Sequence, residues 1–292
     1  MSARHRFVLP CLALAAVVSG STLQAAELPP SKFYAYCIEL GVKDLKPRPL
    51  PEQAALLGNL GFDGTGLPLD LTDELDSQLK LLDGAQLQAF LFWTSVNVNP
   101  AKPPAYDPRL PGAIRKLKGR PATVCVLLNG LKPGDPQGID PAVKALRELG
   151  DCAKEAGVRI SVYNHVHNWT ERVPFAVEII QKTAHPQVGY NFNLCHWLKV
   201  EGAKDYRPLL RQNASKLFCV TINGAQIGAP AWTDGLIQPL DKGDFDNRTL
   251  LGTLREIGFT GPVGLMCYGV PGDPADFLAR SMKVWKSWHN GN

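Results

Sequence analysis

Few features that mark nucleic-acid or membrane partners occur in this 292-residue chain. It has no run of Lys or Arg and no acidic tail, and its formal net charge is only +4. That balance lacks the basic footprint needed to hold phosphate backbones or anionic lipid. No Cys-x-x-Cys occurs, and no Gly-x-Gly-x-x-Gly follows any strand-like run, so a thiol redox motif and a dinucleotide fold have no support. No linker or low-complexity stretch divides the chain.

What is present begins with a processing signal. Arg4 and Arg6 precede an apolar run from Phe7 to Val18, and the small residues Ala25 and Ala26 follow. This order predicts a secretory signal peptide over residues 1–26 and export to the periplasm or beyond. The apolar run is shorter than the ~20 residues of a spanning helix, so no membrane partner is expected after cleavage. Removing the segment takes away two arginines and no acid, leaving +2. Six cysteines then remain: Cys37, Cys125, Cys152, Cys195, Cys219 and Cys267. Isolated cysteines in apolar strands of a domain this size are expected to be buried thiols rather than staples.

From residue 33 onward, apolar runs alternate with segments of helical period. The strand-like runs are Phe33 to Ile38, Gly61 to Leu67, Leu87 to Val98, Ala122 to Leu128, Val158 to Tyr163, Val188 to Leu194, Leu217 to Ile222 and Pro262 to Cys267. Helices are predicted between them over Pro51–Leu60, Leu71–Leu82, Leu110–Leu117, Ile139–Ala156, Thr170–Thr183, Tyr206–Asn213, Arg248–Ile257 and Asp276–Trp288. Eight β-then-α units imply parallel strands with right-handed crossovers. The expected architecture is a single-domain (β/α)8 barrel of about 250 residues over 27–292.

In such a barrel the strand C-termini and the loops after them carry function. Those positions hold His165, His167 and His196, and four of the six tryptophans: Trp93, Trp169, Trp197 and Trp232. Aromatic faces stack on sugar rings while amides and imidazoles serve the hydroxyls. Trp93, Asn164, Trp169, Asn193, Trp197, Asn223, Trp232 and Tyr268 are therefore candidate substrate-binding residues. His165 and His196 are candidate acid–base groups, because imidazole is poised for proton transfer near neutral pH. Tyr163 and Lys199 are candidate catalytic donors. Strand alternation predicts that His167 points away from His165. The exit from the sixth strand, His196 to Glu201, reads as a short polar loop, and Glu201, Asp234, Asp244 and Asp246 as solvated surface. Glu39 and Asp63 fall on the other side of the barrel.

Gly189-Tyr-Asn-Phe-Asn-Leu-Cys-His196, Gly261-Pro-Val-Gly-Leu-Met266, Gly61-Phe-Asp-Gly64 and the loop Ile237 to Asp246 together resemble the xylose isomerase-like TIM-barrel proteins, the sugar phosphate isomerases/epimerases. The resemblance spans essentially the whole mature chain. It implies a sugar-sized pocket and enediolate chemistry around a divalent metal held by Glu, Asp, His and Glu on strands five to eight. The matching positions here are Tyr163, Asn193, Thr221 and Met266. The expectation is thus a divergent member acting on a sugar or keto-sugar by metal-independent isomerisation, epimerisation or elimination/hydration. A non-catalytic carbohydrate-binding barrel is one alternative. A transition metal rebuilt around His165, His167 and His196 is another. No cofactor is otherwise expected, and no oligomeric state is legible.

Overall fold

The computed structural model describes residues 31–37 and 48–289. The segment expected to be a signal peptide and Glu39 lie outside the described residues. Strands and helices alternate as β1 (Phe33–Tyr36), α1 (Leu50–Leu60), β2 (Gly64–Pro68), α2 (Glu74–Gly84), β3 (Gln88–Asn97), α3 (Leu110–Lys116), β4 (Thr123–Asn129), α4 (Ile139–Ala156), β5 (Arg159–Val162), α5 (Val173–Thr183), β6 (Val188–Asn193), α6 (Leu194–Glu201), α7 (Arg207–Gln212), β7 (Leu217–Ile222), α8 (Asn247–Glu256), β8 (Val263–Met266) and α9 (Pro274–His289). All eight strands are parallel and close into one barrel in chain order, with β1 paired to β8 from Phe33↔Val263 to Tyr36↔Met266. The expected (β/α)8 barrel is the observed one. No helix among the described residues is long and apolar enough to cross a membrane.

Burial on both faces explains why the strands read as near-continuous apolar runs. Outward residues such as Val124, Ile160, Val188 and Val220 are fully buried under the helices. Inward residues follow period two and end at the C-terminal rim with Tyr36, Trp93, Leu127, Tyr163, Asn193, Thr221 and Met266. One side of the interior is built by close approach. A Cβ on Gly66 would sit 2.7 Å from Tyr36 Cδ2, and one on Gly264 2.6 Å from Tyr34 Cζ. Glycine on β2 and β8 thus gives the two β1 tyrosines room inside the barrel.

One element departs from expectation. The exit of the sixth strand is not a loop but the helix α6, which begins at the residue after β6. Asn193 keeps extended backbone (φ −100°, ψ 117°) while its side-chain oxygen accepts the His196 N–H, so the last strand residue doubles as the helix cap. Six of the eight α6 residues are buried, His196 and Glu201 among them, so burial does not follow the polar–apolar pattern by which an amphipathic helix is recognised. The cysteines meet their expectation: all six are buried and none is disulfide-bonded.

Gly66→Ala is expected to cost about 1–3 kcal/mol through overpacking and to push Tyr36 off its position. Urea unfolding, with tyrosine ring shifts by NMR, checks this; an unchanged midpoint would mean the interior is not tightly filled there.

Candidate active site

The C-terminal rim encloses a pocket of about 250 Å³ lined by residues from seven of the eight β-strand/loop units. Tyr36, Trp93, Tyr163, Trp232 and Tyr268 give it aromatic walls, and Leu127, Val166, Ile237 and Met266 fill the gaps. Its polar inventory is three imidazoles, His165, His167 and His196, with the hydroxyls of the tyrosines and the thiols of Cys37 and Cys195. None of the lining residues is Asp, Glu, Lys or Arg.

Local structure brings the two central histidines together from different units. β5 stops at Val162, and Tyr163 to His165 leave it in irregular backbone before the turn that begins at Val166. There the Asn164 side chain takes over the ladder: its Oδ1 accepts the Asn193 N–H at 3.0 Å and its Nδ2 donates to the Asn193 carbonyl at 3.3 Å. Asn193 in turn caps α6, setting His196 in the first helical turn. The His165 and His196 rings lie 4.2 Å apart between centroids, with Tyr163 edge-on to His196 at 5.6 Å and Trp232 at 5.1 Å.

The backbone of one residue, Val166, orients both rings through its two flanking peptides. The Val166 N–H donates to His196 Nδ1 at 3.3 Å, and the Val166 carbonyl accepts from His165 Nδ1 at 2.8 Å. A carbonyl only accepts and an N–H only donates. In the neutral rings the proton therefore sits on Nδ1 of His165 and on Nε2 of His196. His165 keeps a lone pair on Nε2, while His196 keeps an N–H there. Burial pushes the proton affinity of His165 below the ordinary imidazole value; it pushes His196 well below, and the neighbouring His165 and His167 lower it further. Burial also holds the hydroxyls of Tyr36 and Tyr163 well above the usual phenol range, so both stay protonated.

Of the residues singled out in the sequence, Tyr163, His165, His196, Trp93, Trp232 and Tyr268 line the pocket. The other six do not. Asn164 and Asn193 are spent on the clamp and cap just described, and Asn193 Nδ2 also donates to Tyr163 Oη at 2.5 Å. Asn223 donates to the Gly224 and Leu236 carbonyls inside its loop. Trp169 is fully buried with its indole N–H on the Asp135 carbonyl at 2.7 Å. Trp197, one residue past His196, is turned by the helix onto Phe192 at 5.5 Å. Lys199 reaches the Pro230 carbonyl at 2.6 Å instead of the pocket. Two further readings change. His167 joins the pocket lining, because strand alternation ends at Val162. Glu201 is not solvated: its side chain is 2% exposed, held by Arg172 at 2.6 and 3.0 Å and by Lys204 at 2.6 Å.

Sequence reasoning missed Tyr36, Leu127, Ile237 and the role of Val166. The period-two pair Tyr34/Tyr36 at the end of the first strand signalled the first of these; a contribution made by a peptide group leaves no signal in residue type.

The divalent metal implied by the resemblance does not fit the residues present. Tyr163 Oη and Asn193 Oδ1 are engaged in protein hydrogen bonds, Thr221 offers a neutral hydroxyl, and Met266 a thioether unsuited to a hard cation. Among the described residues no three His, Cys, Asp or Glu side chains form a group that could hold a metal ion, and this includes the histidine trio.

Residues 115–288 match the family model for the xylose isomerase-like TIM barrel. Several solved structures are similar to the chain. The probable 3-DHS dehydratase of petrobactin synthesis from Bacillus anthracis is 14% identical with a TM-score of 0.66, over 87% of this chain and 98% of that one. D-allulose 3-epimerase from Methylomonas sp. is 16% identical at 0.66, over 88% and 98%. The 3-keto-D-glucoside 4-epimerase from E. coli is 13% identical at 0.64, over 88% and 98%. Identities this low carry the fold alone. No curated protein matches the chain in sequence.

The two buried imidazoles make stability depend on pH. Unfolded, each titrates near ~6.5; folded, each titrates lower. Their contribution is complete above about pH 6.5 and is lost as pH falls toward the folded-state values, because the unfolded chain then binds more protons. Urea unfolding at several pH values is expected to show this decline, and His196→Gln to flatten it; an equal slope in the variant would contradict the burial argument.

Proposed function

The chain belongs to the xylose isomerase-like TIM-barrel family, and from that premise we propose that it is an exported enzyme acting on an uncharged sugar or keto-sugar by metal-independent acid–base chemistry. The observation that carries this reading is the pair of hydrogen bonds to the Val166 backbone, N–H to one ring and carbonyl to the other, which imply complementary tautomers. His165 Nε2 removes a proton from the carbon next to a carbonyl, and the C–H electron pair moves into an enolate. His196 Nε2–H donates to the enolate oxygen as its charge develops. Return of the proton from His165 to the former carbonyl carbon, with the α-hydroxyl proton moving across to the former carbonyl oxygen, gives isomerisation. Protonation of the enolate carbon by water on the face opposite His165 gives epimerisation, and departure of a β-hydroxyl as water, carrying the proton His165 took, gives elimination.

The pocket supports the substrate class. Its volume lies near the lower end of the ~300–1,000 Å³ common for small-molecule sites, which suits one sugar ring. Without a Lys or Arg in its lining, nothing offsets the desolvation of a phosphate or carboxylate. Trp93 and Trp232 supply the faces on which a ring stacks.

A second reading, a sugar-binding barrel without turnover, is favoured by the depressed proton affinity of both histidines, which weakens them as bases. Wash-in of solvent deuterium separates the two. Mature protein is incubated with a panel of neutral sugars and keto-sugars in D2O and followed by proton NMR. At least one should exchange a proton next to its carbonyl, and its phosphorylated counterpart should not. His165→Gln is expected to slow exchange by about 10²–10⁴-fold, and His196→Gln by about 10²–10³-fold. The rate should hold steady above pH ~6.5 and fall only at lower pH, where His165 protonates. Saturable binding with no exchange anywhere in the panel would leave the binding reading in its place.

A further inference from the structure

The loop between β7 and α8, residues 223–246, reaches over the pocket mouth and supplies Trp232 and Ile237 to its lining. The base of this loop is stapled. Gly224 and Gln238 exchange two backbone hydrogen bonds at 2.9 and 2.8 Å. Asn223 Nδ2 donates to the Leu236 carbonyl at 2.7 Å. Asp244 accepts the Ile227 N–H at 2.7 Å and Gln226 Nε2 at 2.8 Å. The tip, residues 229–234, is joined to this base by three backbone hydrogen bonds, from the Ala229 N–H to the Gln226 carbonyl at 3.2 Å, from Leu236 to Ala231 at 3.3 Å and from Ile237 to Trp232 at 2.7 Å. It lies between Gly228 and Gly235, whose φ angles of 79° and 103° are open to glycine and strained for other residues. Most of its residues are exposed, while Trp232 is half-buried.

Two contacts tie this tip to the helix beneath. Trp232 packs edge-on against the His196 ring at 5.1 Å. Lys199 Nζ donates to the Pro230 carbonyl at 2.6 Å and sits 6.0 Å from the Trp232 ring centroid. Lys199 and His196 are one helical turn apart on α6. The helix that carries the proton donor therefore also carries the latch for the aromatic ring covering it.

We propose that residues 229–234 are a gate over the pocket and that Lys199 is its positioning residue, holding Trp232 against His196. A stapled base, a tip flanked by two glycines and an exposed lysine as fastener allow the tip to swing while the rest of the loop stays fixed, with the Leu236–Ala231 and Ile237–Trp232 hydrogen bonds opening as it moves. Closed, Trp232 shields the His196 ring from water; open, it admits a ligand. The proposal shares the pocket with the functional reading above but needs no turnover for its test, so the two fail separately.

The test compares wild type, Lys199→Met and Lys199→Arg without added ligand. Acrylamide quenching of Trp232 is taken as the difference between each protein and the same protein carrying Trp232→Phe. Hydrogen exchange is followed at residues 226–236. Lys199→Met is expected to raise both the quenching and the exchange by roughly two- to fivefold, the scale of one exposed charge-assisted contact. Exchange in α6 and the barrel strands should stay unchanged, and Lys199→Arg should restore wild-type behaviour. Quenching and exchange equal to wild type in Lys199→Met would overturn the proposal. So would faster exchange spread over α6, because the lysine would then be supporting the helix rather than the gate.

Discussion

Both imidazoles in this pocket depend on the backbone of one residue, Val166, whose N–H and carbonyl belong to consecutive peptides. A histidine pair at 4.2 Å with no other constraint could hold its protons in several arrangements, and its two rings would be interchangeable. The Val166 N–H and carbonyl remove that symmetry by giving one ring a donor and the other an acceptor. The rest of the rim serves this arrangement. Asn164 fixes where β6 ends relative to the β5 exit, Asn193 fixes where α6 begins, and Arg172 and Lys204 grip the far end of α6 through Glu201. Roles that side chains usually divide between acid and base are thus set by the backbone of a residue whose own side chain only packs.

The barrel was legible in the sequence because its signal is repeated eight times. Runs buried on both faces stay apolar, and the helices behind them keep a three- and four-residue period, as in Leu75, Leu79 and Leu82, all buried in the structure. The site was less legible because residue type does not say which way a rim side chain turns. Six of twelve candidates line the pocket, and the failures share a cause. Asn164, Asn193 and Asn223 satisfy backbone groups at irregular strand ends, where an amide imitates a missing peptide. Trp169 and Trp197 fill space between barrel and helices. Trp197 and Lys199 were displaced from the pocket by a helix whose start lay in a strand residue, a boundary that hydrophobic pattern does not mark.

The four positions at which the resemblance implies a metal-ligand set all hold uncharged residues here. Tyr163, Asn193, Thr221 and Met266 keep the inward register of strands five to eight, yet the first two are joined to each other by a hydrogen bond. Such a substitution is coherent: removing one carboxylate from a buried ligand set would leave the others repelling, whereas replacing all of them leaves a neutral floor. That floor in turn permits neutral imidazoles above it, since a nearby carboxylate would draw them toward the charged form. An uncharged floor and the depressed proton affinity that burial gives the histidines are thus compatible features of one neutral pocket.

The six buried thiols bear on how the chain reaches this state. Six cysteines allow 15 complete pairings, and the folded barrel uses none of them. Cys125 and Cys219 approach to 3.8 Å between sulfurs, yet they belong to strands separated by two others in the wall. The barrel closes only when β1 meets β8, a pairing across nearly the whole chain and of the kind that forms slowly. Until then the thiols are accessible. Closure therefore also decides when the thiols become inaccessible: the native fold protects its cysteines by enclosing them, and wherever folding meets an oxidant, each moment of open barrel exposes them to wrong partners.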